Sequence, residues 1–172
     1  MDYAPLKDRF PGGVLSVAQE NGQDAIEVTR DAAHDVLKAL KDEHGFDMLV
    51  DVCGVDYLKL ERPERFAAIY HLLNTQTNAR VRVRAFVPES DPRIATASDL
   101  WPGAGWPERE AFDLYGIVFT GHRDLRRILM PEGYEGHPLR KDYPLKGRGE
   151  REDFPKYEPV ENVDWQGQPT GD

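Results

Sequence analysis

The stretch Arg80–Val87 alternates without a break: Val81, Val83, Ala85 and Val87 take one parity, and Arg80, Arg82, Arg84 and Phe86 take the other. Successive side chains of a strand point to opposite faces, so this pattern predicts a strand with one face buried and one open. A helix would scatter the same valines around its circumference. The chain must therefore build a sheet, together with a second layer to cover one side of it.

The segments upstream supply both. Gly13–Gln19 and Asp24–Thr29 flank Asn21-Gly22, a strong hairpin-turn signal, and read as paired antiparallel strands. Asp31 reads as an N-cap, followed at helical spacing by Ala33, Val36, Leu37 and Leu40, with Gly45 as the stop. Phe46–Cys53 reads as a strand whose Phe46, Met48, Val50 and Val52 share a face, and Phe66–Leu73 as the next strand. The order predicts an α+β fold: a two-layer head with a mixed sheet of about five strands and helices on one face.

Beyond Pro88 the texture changes. Ala97–Trp101 reads as one or two helical turns. Trp106–Tyr115 reads as a short helix, with Pro107 and Glu108 suited to its first turn and Gly116 to its end. After that, Pro131, Pro138, Pro144, Pro155, Pro159 and Pro169 interrupt any long element. The expected organisation is a head over residues 1–95, a helical segment and docking arm over 96–145, and a polar, extended or disordered tail over 146–172. The arm is too poor in apolar residues to fold alone, so it needs a surface to lie on.

Charge narrows the functions. The net charge of −9 repels phosphate backbones and anionic lipids. It is unevenly spread: His122–Arg148 holds seven Lys/Arg against four Asp/Glu, so the rest of the chain is more acidic still. Such an arm fits an acidic protein surface, and protein docking is favoured over RNA for Arg123, Arg126, Arg127, Arg140 and Lys141. Cys53 is the only cysteine, so this chain can form neither an intrachain disulfide nor a cysteine cage for an iron–sulfur cluster. Met1–Phe10 lacks the pattern of a secretory signal, and no apolar run approaches the roughly 20 residues that span a bilayer.

Catalytic and metal readings compete with plainer ones. Glu108 and Asp113 could form an acid–base pair, with His137 as a third member of a small hydrolase site. No nucleophile or oxyanion donor set accompanies them, and a capped helix with an Arg109–Asp113 pair at i, i+4 is favoured. His122 and His137 each follow a glycine and lack the close ligand partner usual at zinc sites, so bonds to backbone carbonyls are the expectation. His34, His44 and His71 read as structural. No dinucleotide or phosphate glycine motif occurs.

The residues from Glu108 to Pro144 resemble a family signature. Its parts are Glu108–Asp113, Gly116–His122, Leu125–Leu129 and Glu135–Pro144, in that order, with Asp51–Tyr57 and Tyr70–Leu72 matching upstream. They are similar to the C subunit of NADH–quinone oxidoreductase, respiratory complex I, whose mitochondrial form is the 30-kilodalton subunit. Arg123 stands where the family usually has proline.

The resemblance implies an α+β head and an arm wrapped on the neighbouring D (49-kilodalton-type) subunit. It implies a non-catalytic role in the hydrophilic arm of the complex, peripheral on the cytoplasmic side of the bacterial membrane. It also implies no cofactor on this chain, FMN and iron–sulfur clusters being held by other subunits, and neither nucleic-acid binding nor membrane insertion. Equivalent subunits occur in membrane-bound hydrogenases and deazaflavin-dependent dehydrogenases. Glu108, Arg109, Asp113, His122, Arg126, Arg127, His137, Arg140, Lys141 and Asp142 are the expected docking signature.

Overall fold

The structure, a computed structural model, describes residues 3–131 and 133–149. Most of the expected polar tail therefore lies outside the described residues.

Strands β1 (Val14–Glu20) and β2 (Gln23–Thr29) form the hairpin, and Asn21 and Gly22 both take positive φ (51° and 78°) at the turn. That backbone matches strand twist and favours Asn-Gly. The sheet continues with β3 (Met48–Asp56), β4 (Phe66–Leu73) and β5 (Arg80–Val87). Its spatial order is β1-β2-β5-β4-β3, with β2 and β5 parallel and the other pairs antiparallel. The sheet is thus mixed and five-stranded, as the element order implied. The alternation in β5 holds: Val81, Val83, Ala85 and Val87 are all fully buried.

Helix α2 (Arg30–Asp42) buries Ala33, Val36, Leu37 and Leu40 against that face. Its N-cap is Thr29 rather than Asp31, because β2 runs directly into the helix and leaves no room for a separate cap. Helix α3 (Gly105–Tyr115) packs on the same side, chiefly along β3. Gly54 makes that approach possible, since a Cβ there would stand 2.5 Å from the Tyr115 ring.

Three features depart from the sequence reading. A helix α1 (Ala4–Arg9) precedes β1 and buries Leu6, with Tyr3 beside it; six residues are too few to show periodicity. Strand β3 begins at Met48, and a register shift between Leu49 and Asp51 breaks its alternation. Phe46, which precedes the strand, and Val52, which follows the shift, are buried while Met48 and Val50 are exposed, so the four do not share one face. A second, two-stranded parallel sheet joins β6 (Arg93–Ala95) to β7 (Val118–Thr120). Ala97–Trp101 forms turns leading into a 3-10 turn at Pro102–Ala104.

Ile117 and Phe119, which follow α3, belong to the same core cluster as the head strands. Gly116 ends α3 at φ 77°, its N–H returning to the Phe112 carbonyl. That left-handed cap turns the chain back toward the sheet.

Candidate functional site

The signature residues converge along one seam, where residues 122–131 and 133–142 lie beside α3 and at the ends of β3 and β4. Asp113 is the centre of it. This fully buried carboxylate accepts the backbone N–H groups of Ile128, Leu129 and Met130 on one oxygen, at 3.0, 2.7 and 2.8 Å. The other oxygen accepts from Arg127 at 2.8 Å. Burial alone would push its pKa up, but those N–H donors and the Arg127 guanidinium outweigh burial and hold it below the ordinary carboxylate range.

Glu108 faces a different loop. Its carboxylate is wholly buried and accepts from the Ala97 N–H at 2.6 Å and from the Thr96 hydroxyl. Here burial dominates the two hydrogen bonds, and the pKa is raised. Each oxygen of both carboxylates is thus engaged in holding backbone or loop. His137 bonds the Asp113 main-chain carbonyl, not its carboxylate, so Glu108, Asp113 and His137 do not assemble as an acid–base triad.

The raised pKa makes a pH prediction. A folded-state value above the unfolded one means that the folded protein gains protons there, so the Glu108 contribution to stability falls as pH rises through that window. Glu108→Gln can accept from Ala97 and donate to Thr96 without carrying charge. It is expected to match or exceed the wild type in urea midpoint at pH 7.5, with its relative advantage shrinking at pH 5. A mutant less stable at pH 7.5 than at pH 5, relative to wild type, would refute this.

Arg109 does not pair with Asp113, contrary to the i, i+4 expectation. It donates instead to the carbonyls of Arg126 and Arg127, both at 3.0 Å, and its guanidinium lies 5.0 Å from the Trp106 ring centroid. Both Asp113 oxygens are already engaged by the arm, which leaves Arg109 the two main-chain carbonyls. His122 donates from Nε2 to the Gly105 carbonyl at 3.0 Å and accepts the Asp124 N–H on Nδ1 at 3.0 Å. Arg126 is exposed and pairs with Asp124.

Farther along, Arg140 donates to the Tyr115 carbonyl at 2.6 Å and lies over the Phe66 ring. Lys141 contributes its backbone N–H to Asp56 at 2.8 Å, and its side chain stays at the surface. Asp142 pairs with Arg65 at 2.7 Å.

Asp56 and Arg65 are the members that sequence reasoning missed. Asp56 is buried at the end of β3 and binds Arg65 at 2.9 Å as well as the Leu58 N–H. An acidic residue closing an apolar strand was the available signal. Among the described residues, no cluster of three or more His, Cys, Asp or Glu could hold a metal ion, and no helix is long and apolar enough to cross a membrane.

Comparison with known proteins agrees with this geometry. The family described as the respiratory-chain NADH dehydrogenase 30 Kd subunit matches residues 26–149, which takes in the sheet from the second half of β2 onward and the seam. The C subunit of the NADH-quinone oxidoreductase of Erythrobacter litoralis is 49% identical over 153 residues, covering 86% of this chain and 60% of that protein. Its counterpart in Thiobacillus denitrificans is 45% identical over 166 residues, covering 92% and 80%. The chain thus spans about three fifths of the first relative's length and four fifths of the second's.

Among solved structures, a trypsin-resistant fragment of Nqo5 is 39% identical with a TM-score of 0.60, over 64% of this chain and 89% of that one. A chain of an archaeal membrane-bound sulfane sulfur reductase superposes with a TM-score of 0.70 over 93% of this chain and 95% of its own, at 19% identity, a likeness of fold alone. With its signature carboxylates and arginines gathered along one seam and this agreement across most of its length, the chain belongs to the family of the 30-kilodalton subunit of respiratory-chain NADH dehydrogenases.

Proposed function

We propose that this chain is a non-catalytic structural subunit of the hydrophilic arm of a proton-translocating NADH–quinone oxidoreductase, docked on the large D subunit that carries the quinone site. In this reading FMN and iron–sulfur clusters on other subunits carry electrons from NADH to quinone. The complex holds the chain peripherally on the cytoplasmic side of the membrane.

The observation that carries the reading is a division of labour along the seam. The buried carboxylates and arginines face inward and hold the arm to its own head. Three large apolar side chains of the same stretch face out: Trp106 is 65% exposed, Leu129 56% and Leu139 45%. Trp106 is held from beneath by Arg109, so a rigid aromatic anchor stands ready for a partner's apolar socket. Exposed cations (Arg123, Arg126 and Lys141) accompany these residues and suit an acidic partner surface.

Arg140→Ala tests the docking role. It removes a charge-assisted bond to Tyr115 and the packing on Phe66, a loss of roughly 1.5–3 kcal/mol from the arm's seating. The head should keep its circular dichroism and melting transition. The yield of complex recovered from native membranes through a tag on this chain should fall about tenfold or more. Equal recovery of complex from mutant and wild type would refute the reading.

A second reading is an equivalent subunit in a related membrane-bound hydrogenase or deazaflavin-dependent dehydrogenase; the fold also occurs in a chain of an archaeal membrane-bound sulfane sulfur reductase. The proteins that co-purify distinguish the two: an NADH-oxidising flavoprotein supports the first, its replacement by another donor module the second.

A further inference from the structure

We propose that His137 is an acid-sensitive latch: its neutral ring seats residues 137–142 against the end of helix α3, and its protonation loosens them. The latch is built from this chain's own residues, whichever complex the chain joins.

Nδ1 of His137 donates to the Asp113 main-chain carbonyl at 2.9 Å, so in the neutral ring Nδ1 carries the hydrogen and Nε2 is bare. Nε2 points into the slot over Gly116, within 2.6 Å of the place where a Cβ would stand. The terminal Nη2 of Arg140 lies in the same slot, as close to that point as the ring is. The bare nitrogen of the ring therefore faces a guanidinium. Arg127 flanks the ring as well, donating to the carbonyl of neighbouring Gly136 at 2.9 Å. On the α3 side the ring meets the edge of Phe112.

A proton arriving from solvent can only go to Nε2. It would place a third positive charge among Arg127 and Arg140, in a half-buried site where desolvation already penalises charge. Burial comes first in holding the His137 pKa below its ordinary value, followed by Arg140 and Arg127. The Asp113 carbonyl and, more weakly, its carboxylate act in the opposite sense. The sign is then determined. A detached arm carries a histidine of ordinary pKa, about 6.5, so it binds more protons than the docked arm below that pH. Docking weakens as pH falls from there and levels off below the docked value, about tenfold for each unit by which the pKa is depressed.

Asp56, Asp113 and Asp142 are all held below the ordinary carboxylate range, so they stay ionised through this window. Arg65 is held in its charged form by Asp56, Asp142 and Glu89. Glu108 moves in the opposite direction and holds Thr96 and Ala97, not the arm.

Two backbone amides report the latch directly: Leu139 N–H, bonded to the Leu114 carbonyl at 3.1 Å, and Lys141 N–H, bonded to Asp56. In the full chain, their hydrogen-exchange protection, corrected for the intrinsic pH dependence of exchange, should fall severalfold between pH 7.5 and 5. Amides of strands β4 and β5 should be unchanged. His137→Gln, which has no charge to gain, should flatten the response. An equal loss of protection in His137→Gln, or none in wild type, overturns the latch. Should the mutant arm fail to seat at any pH, an NMR titration of wild type decides: the midpoints of the arm amides coincide with that of the His137 ring, or the proposal fails.

Discussion

Asp113→Ala is expected to cost about 3–5 kcal/mol of folding stability, the range typical for breaking a buried, hydrogen-bonded charge site by removing one partner. The side chain is fully buried, and both of its oxygens are engaged. Alanine would leave three consecutive N–H groups without an acceptor and strand the Arg127 guanidinium, each orphaned group carrying its own desolvation cost of about 1–3 kcal/mol. Water entering the new gap would offset part of the total, so the range lies below the naive sum.

The urea midpoint measures the loss. A second signature separates this carboxylate from mere packing. Its depressed pKa stabilises the folded state fully above the ordinary carboxylate pKa, and that contribution is lost as pH falls through the folded value. Asp113→Ala should therefore flatten the acid limb of the stability profile, below about pH 3.8. A loss under about 1 kcal/mol, no more than an ordinary hydrogen bond contributes, would mean that the arm is not anchored here.

Gly116→Ala should have the next largest effect, and a matched control separates its causes. Gly116 and Gly22 have nearly the same backbone, φ 77° and 78°. A Cβ at Gly22 meets nothing within 4 Å, so Gly22→Ala reports only the left-handed strain, about 1 kcal/mol. A Cβ at Gly116 would fall into the slot shared by Arg140 and His137, closer than real Cβ contacts allow. The Arg140 guanidinium and the His137 ring would both have to shift, weakening the bonds to the Tyr115 and Asp113 carbonyls. Gly116→Ala should exceed the control by about 2 kcal/mol, each of the two bonds contributing roughly 1 kcal/mol. The excess should appear as lost protection at Leu139 and Lys141, while the head stays folded. Equal effects at the two glycines would show that the slot is not a constraint.

Legibility in the sequence followed the range of the interaction. Strand β5, the Asn21-Gly22 hairpin, the apolar stripe of α2 and the Gly116 stop were all readable, because each depends on residues a few positions apart. Helix α1 was too short to carry a period. The register of β3 was misread because a single bulge inverts parity, and nothing near Leu49 announces it. The long ordered signature from Glu108 to Pro144 was enough to suggest the family.

The wiring of the candidate site was not legible, and two of its members, Asp56 and Arg65, were not either. Asp113 and Arg109 sit at pairing distance in sequence, yet Asp113 reached 14 residues on to Arg127, and Arg109 took the carbonyls of Arg126 and Arg127. Asp56 meets the Lys141 N–H across 85 residues, a contact for which no spacing rule exists.

From the sequence by itself came the two-layer α+β plan, the acidic body with its basic arm, and the signature that suggested the family. Tertiary structure alone decided that Asp113, Arg127 and Arg140 turn inward while Leu129, Leu139 and Trp106 stay outside. The reason is physical. Periodicity and capping are local and are felt by any chain with those neighbours. A buried charge takes whichever partner relieves its desolvation most completely, and only the folded chain determines which donors stand beside it.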